Sequence, residues 1–89
     1  MSFMRSKRIS SQTNITLGGV DSATVLGFVN VCTAASSAVL TLKEKDNNGT
    51  VIATIDASAA KTLAFFSTHK DGVYAVQSGG SADITITFA

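Results

Sequence analysis

The single histidine of the 89-residue chain, His69, lies beside possible catalytic partners in the stretch FFSTHKDG. Ser67 and Thr68 precede it and Asp71 follows it, so a nucleophile, a base and an acid are close in sequence. A catalytic triad needs its base held in space between the acid and the nucleophile, which neighbours on one loop rarely achieve. No G-x-S-x-G motif accompanies the group. The sequence therefore predicts a solvated loop histidine before the Asp71-Gly72 turn, in a protein that is not an enzyme.

The single cysteine, Cys32, excludes an intramolecular disulfide and a cysteine-rich zinc site. It stands between Val31 and Thr33 in the most apolar stretch of the chain, without the neighbouring cations that make a thiol reactive. We therefore predict that Cys32 is a small buried core residue. The acids are scattered, and we predict that they form turns and edge charges and hold neither metal nor cofactor: Asp21, Glu44, Asp46, Asp56, Asp71 and Asp83.

The most polar stretch is the tetrapeptide Asp46-Asn47-Asn48-Gly49, which separates two alternating apolar and polar runs. An EF-hand calcium loop needs its oxygen ligands at alternate positions and a later Glu, whereas these residues are contiguous. Asn, Asp and Gly tolerate the positive φ values of tight turns. The stretch predicts a hairpin turn. The sequons at Asn14 and Asn48 are interpreted as chance matches, because no secretory signal is recognisable at the start of the sequence.

The elements that position these residues follow from a period of two in the apolar pattern, which is typical of strands and not of helices. Seven runs share this pattern, with turn residues between them: 8–17, 23–33, 38–45, 50–56, 61–67, 72–78 and 83–88. We predict an all-β domain spanning residues 9–89, an antiparallel β-sandwich or small jelly roll of about seven strands.

The run 23–33 is apolar on both of its predicted faces. One face carries Val25, Val29 and Val31, and the other carries Leu26, Phe28 and Cys32. Such a strand lies either at the centre of a sandwich or against a neighbouring subunit.

The first eight residues, MSFMRSKR, show no regular pattern and are interpreted as an extended N-terminal arm over residues 1–8. We predict that the arm docks on a partner through five residues: Phe3, Met4, Arg5, Lys7 and Arg8. Its three cations provide only weak, salt-sensitive contacts with phosphates, and the net charge is +1, so nucleic acid is not expected to be the main partner.

The size of the chain points to an assembly. A domain of 89 residues without disulfides buries a modest share of its surface, so neighbouring subunits are the expected source of added stability, and we predict a homo-oligomer. No apolar run approaches the roughly 20 residues of a membrane-spanning helix. The sequence is therefore interpreted as a soluble chain made inside the cell.

The pattern as a whole resembles small β-sandwich virion proteins of tailed bacteriophages. The resembling residues are strands and turns over roughly residues 20–88: VLTL (39–42), DNNG (46–49), LAF (63–65), GVY (72–74) and SADITI (81–86). The resemblance implies a non-enzymatic capsid decoration or cement protein, made in the host cytoplasm and located on the virion. Its implied partners are the major capsid protein or other virion subunits. The alternatives are a tail- or fibre-associated component and a cell-surface or carbohydrate-binding sandwich.

Overall fold

The protein is an antiparallel β-sandwich, as predicted. The computed structural model describes residues 5–18 and 23–89, and within these ranges it contains eight strands and no helix. The strands are β1 (Arg5–Ile9), β2 (Asn14–Leu17), β3 (Thr24–Thr33), β4 (Val39–Glu44), β5 (Val51–Asp56), β6 (Lys61–His69), β7 (Val73–Ser78) and β8 (Asp83–Phe88). They form two four-stranded sheets, ordered β1-β8-β3-β6 (sheet A) and β2-β7-β4-β5 (sheet B).

The strand order is that of a jelly roll. Among the described strands, every connection along the chain crosses from one sheet to the other except the β4–β5 hairpin. Eight strands in two packed sheets with this kind of crossing characterise the jelly roll. The count exceeds the prediction by one because the run 8–17 is two strands: Ile9 lies opposite Ile84 in sheet A, whereas Ile15 lies opposite Ala75 in sheet B.

The core lies between the sheets and follows the predicted alternation. In the hairpin, Leu40 lies opposite Ile55 and Leu42 lies opposite Ala53, so all four side chains share the inner face. Burial of these apolar faces stabilises the fold by roughly 25 cal/mol per Å² of area removed from water. The buried core comprises Ile9, Leu17, Leu26, Val29, Val31, Ala38, Leu40, Leu42, Ile55, Ala57, Val73, Ala75, Ala82, Ile84, Ile86 and Phe88.

The tip of the β4–β5 hairpin is a turn, as predicted. The backbone N–H of Glu44 donates to the carbonyl oxygen of Thr50 at 2.9 Å and closes the hairpin. Within the tip, Asp46 accepts two hydrogen bonds: its carboxylate from the N–H of Asn48 and its carbonyl from the N–H of Gly49, both at 2.9 Å. These polar groups bind one another and so account for the Asp-Asn-Asn-Gly composition without a ligand.

The faces of β3 differ from the prediction because of a β-bulge. The β3–β6 register shifts at Gly27, where Phe65 and Phe66 together span the position opposite one residue. Against β8, the three-residue step from Leu26 to Val29 lies opposite the two-residue step from Phe88 to Ile86, so β3 carries one extra residue there. As a result Leu26, Val29 and Val31 face the core, while Val25 and Phe28 face outwards. A glycine inside a strand often marks a bulge, and a bulge changes which residues share a face.

The boundary predicted between an arm (1–8) and a domain (9–89) is wrong, because β1 begins at Arg5. Arg5 lies opposite Phe88 and Arg8 lies opposite Thr85, so this segment is an edge strand of sheet A. Edge strands do not need an apolar face to pair, and cations at strand edges are common because they discourage further pairing. Such a strand lacks the alternation by which the others were recognised. Phe3 and Met4 of the predicted arm lie outside the described residues.

Candidate functional site

The outer face of sheet A carries an exposed aromatic pair. Phe28 on β3 and Phe66 on β6 meet edge to face, with ring centroids 4.9 Å apart and an interplanar angle of 80°. The two residues remain 40% and 64% exposed, and Val25 lies exposed on the same strand as Phe28. Large apolar side chains grouped on a solvent-facing sheet are typical of a contact surface.

Phe66 is held in an unfavourable backbone conformation. Its φ is 49°, in the left-handed region that bulky side chains rarely adopt. The residue lies in the irregular part of the β3–β6 pairing, opposite Gly27, and its ring faces outwards beside Phe28. Backbone strain of this kind costs about 1–3 kcal/mol and is concentrated at functional positions. The strained, exposed ring therefore marks this face as the candidate site.

Next to the aromatic pair, the outer face carries a row of uncharged polar side chains that bind one another. Thr62 donates to Oδ1 of Asn30 at 3.0 Å, and Nδ2 of Asn30 lies 3.3 Å from the sulfur of Cys32. The sulfur also lies 3.8 Å from Oγ1 of Thr85 on β8. The prediction that Cys32 is buried is wrong: the bulge places it on the outer face, where its thiol is exposed.

His69 is also placed differently from the prediction, since it is buried at the end of β6 and not solvated in a loop. Its Nε2 lies 2.7 Å from Oγ of Ser67, and its Nδ1 lies 2.7 Å from Oε1 of Glu44. Glu44 ends β4 in the opposite sheet, so the imidazole joins sheet A to sheet B at one end of the sandwich.

The contacts among Ser67, His69 and Glu44 follow the nucleophile, base and acid order of a triad. The sequence drew attention to Ser67 and His69 but missed Glu44, because a partner 25 residues away is invisible to local spacing. The only signal was that Glu44 lies two positions after Leu42, so the alternation places it on the inner face of β4. Within the described ranges, no pocket forms beside the group. Through the hydrogen bonds of His69 to Ser67 and Glu44, the group forms a polar clamp between the two sheets.

The three cations of the predicted partner-binding set lie on β1 and have contacts within the domain. The guanidinium of Arg5 lies 4.7 Å from the centre of the Phe88 ring, a cation–π distance. Nζ of Lys7 donates to the carbonyl oxygen of Thr16 at 2.9 Å and so links the edges of the two sheets. Arg8 donates two hydrogen bonds to the Asp83 carboxylate, at 2.7 and 3.0 Å.

The Arg8–Asp83 pair leads to a pH prediction. The hydrogen bond from Arg8 lowers the pKa of Asp83, so the pair stabilises the fold at neutral pH and is lost as the pH falls through that lowered pKa. In Arg8→Gln we expect the pKa of Asp83 to return towards its ordinary value, measured by carboxyl-carbon NMR titration. Asp56 is the internal control, because a hydrogen bond from Ser58 lowers its pKa. An unchanged Asp83 titration, or an equal shift at Asp56, would contradict this assignment.

The described residues form neither a metal site nor a membrane-spanning helix. No group of three or more His, Cys, Asp or Glu residues there is arranged to hold a metal ion. No helix in residues 5–18 or 23–89 is long and apolar enough to cross a membrane.

Comparison with known proteins identifies fold relatives only. No protein-family model matches the sequence, and no curated protein matches it. The chain is similar to the NLP-core of Drosophila, whose structure concerns pentamer formation and histone binding: TM-score 0.69, 15% identity, covering 99% of this chain and 97% of that one. It is also similar to a chain from the endospore appendages of Bacillus, a family of disulfide-linked pili: TM-score 0.56, 13% identity, covering 96% and 85%. At these identities the likeness shows the shared sandwich fold.

Proposed function

We propose that this chain is a non-enzymatic structural subunit of a virion, which decorates or cements the capsid shell through contacts with other subunits. The observation that carries the proposal is the uncharged outer surface of β3 and β6, where the strained, exposed Phe66 lies beside Phe28. When a partner covers an exposed aromatic side chain, the buried apolar area stabilises the complex by roughly 25 cal/mol per Å². Many copies on one particle multiply a modest affinity at each site.

The fold relatives supply a second line of support. The Drosophila protein concerns pentamer formation, and the Bacillus protein belongs to pili, so this sandwich fold serves in assemblies of repeated subunits in both cases. Neither is a capsid protein. The virion, the major capsid protein as partner and the bacteriophage origin therefore rest on the resemblance of the strand and turn pattern.

The partner-binding role of the N-terminal segment stays part of the proposal, with a revised geometry. Arg5, Lys7 and Arg8 would bind from the edge of sheet A and not from a separate arm, because they belong to β1. Lys7 and Arg8 already have hydrogen-bond acceptors within the domain. Their contribution to docking is thus limited to the hydrogen-bonding positions that these internal contacts leave exposed.

A carbohydrate-binding module is the competing function, favoured by the same exposed rings. Sugars stack on flat aromatic platforms, but the planes of Phe28 and Phe66 are inclined at 80° and do not form a continuous one. Edge-to-face rings interlock with side chains of a partner protein instead. The geometry favours a protein partner over a glycan.

The test is fractionation of assembled particles with wild-type protein and with Phe66→Asn, since Asn tolerates the left-handed conformation and removes the ring. We expect the wild type to co-sediment with purified capsids and the variant to show much lower occupancy. Thr54→Asn, an exposed substitution on sheet B, is the control and should bind like the wild type. The proposal fails if the wild type is absent from particles and the isolated domain binds glycans. It also fails if a serine-directed fluorophosphonate probe labels the wild type but not Ser67→Ala.

A further inference from the structure

We propose that β6 is a self-association edge, at which two copies of this chain pair their β6 strands antiparallel across a two-fold axis. The junction would join two copies of sheet A into one continuous eight-stranded sheet, with the aromatic pair of each copy beside it. The inference concerns contacts between copies of this chain and does not depend on which particle the protein belongs to.

The four described edge strands differ in how well they are protected from pairing. β1 carries three cations, Arg5, Lys7 and Arg8, and β2 has only four residues. β5 has six residues and an irregular register with β4. Short strands, edge charges and bulges are the usual protections against edge-to-edge association.

β6 is the least protected of the four. It has nine residues, the longest of these edges, and residues 62–68 carry no charge, proline or glycine. Its pairing with β3 is regular from Lys61 to Ala64, where the bulge begins. The edge is both regular and uncharged over residues 62–64, where a partner strand is the structure that best satisfies its unpaired backbone N–H and C=O groups.

The aromatic pair adds exposed apolar area that a partner strand at this edge would bury. Phe66 is the most exposed of the large apolar residues described, at 64%, and its backbone is held in the left-handed region at the end of the regular segment. A partner strand along residues 61–65 would bring a second uncharged sheet surface against this ring. Apolar area is thereby buried together with the new hydrogen bonds.

Charge excludes β1 of a second copy as the occupant, and because β2 is short and β5 is irregular, the occupant that remains is a second copy of β6. Pairing β6 with β1 of another copy would bring three cations towards Lys61, with no acid on either strand. In a two-fold pairing, the two Lys61 side chains lie at opposite ends of the junction. The remaining contacts are between uncharged residues, and a two-fold axis makes one patch complementary to itself.

The first test measures self-association by sedimentation velocity over a range of protein concentrations. We expect a concentration-dependent dimer whose affinity falls at least about tenfold in Ala64→Lys, because the two-fold axis places two new ammonium groups at one junction. Thr54→Lys adds the same charge to an exposed position on the β5 edge and should associate like the wild type. A wild type that stays monomeric at every concentration overturns the proposal, as does equal weakening by both lysine variants.

The second test asks whether the contact is isologous. The variant used is Thr62→Cys/Ala64→Cys in a Cys32→Ser background. Whether the two-fold axis lies at residue 62, 63 or 64, one of the two introduced cysteines faces a cysteine of the other copy. Opposed cysteines in an antiparallel pair lie within disulfide reach. We expect rapid formation of a disulfide-linked dimer on mild oxidation and none with Thr54→Cys in the same background. Failure of the double variant to cross-link faster than this control would show that β6 does not pair with itself.

Discussion

Replacing Gln77 by Leu is expected to lower the free energy of unfolding by about 2–4 kcal/mol, because it leaves buried backbone groups without hydrogen bonds. The side chain of Gln77 lies in the core of β7 and is almost fully buried. Its Nε2 donates to the carbonyl oxygens of Ser11 at 3.0 Å and Ala82 at 3.1 Å. Its Oε1 accepts the N–H of Ala82 at 2.8 Å.

This one amide therefore ties the β1–β2 connection and the β7–β8 connection to the same strand. Leucine has a similar volume, so the expected loss of stability comes from the hydrogen bonds and not from packing. Most of it comes from the N–H and C=O of Ala82, which stay buried, and less from the carbonyl of Ser11, which is exposed. Each buried group left unsatisfied costs about 1–3 kcal/mol. Neither connection has regular secondary structure of its own to replace these bonds.

Urea unfolding, followed by circular dichroism, measures the change, and the exposed Gln12→Leu is the matched control. We expect the midpoint to fall for Gln77→Leu and to stay nearly unchanged for Gln12→Leu. The m-values should be equal, since both variants expose the same surface on unfolding. A loss below about 1 kcal/mol at Gln77 would show that the two connections relax and recover their hydrogen bonds.

The sequence predicted the fold where local pattern and packing agree. The alternation identified β4, β5 and β8 as strands, and the turn residues at 46–49 located the hairpin, because both signals act within one element. The same reasoning could not find the bulge opposite Gly27, since a single unpaired residue depends on the neighbouring strand. The extra residue in β3 places Leu26 towards the core and Phe28 and Cys32 on the outer face.

The sequence predicted only part of the candidate site. Phe66 stands in the stretch FFSTHKDG beside Phe65, but its contact with Phe28 crosses strands, so the sequence did not predict the aromatic pair. The clamp at His69 was missed for a related reason: Glu44 reaches it from the other sheet. β1 was missed because an edge strand can be stable without an apolar alternation. Each error involves a contact between elements distant in sequence.

Replacing Gly49 by Ala is expected to destabilise the protein by about 3 kcal/mol, a large effect for one methyl group in an exposed hairpin. A β-carbon at this position would overlap the backbone carbonyl oxygen of Glu44, far inside van der Waals contact. The atom it meets belongs to the backbone at the base of the hairpin, so no side-chain rotation relieves the overlap.

The clash at Gly49 should also alter the polar clamp between the sheets, because Glu44 belongs to both. Glu44 closes the hairpin through its N–H and binds Nδ1 of His69 through its carboxylate. If the loop opens to admit the methyl group, Glu44 must move, so we expect the imidazole NMR signals of His69 to change as well as the unfolding midpoint. Asn48→Ala is the control, because the side chain of Asn48 is exposed and it is the backbone N–H that binds Asp46. A Gly49→Ala variant with native stability and unchanged His69 signals would show that the tip rearranges independently of β4.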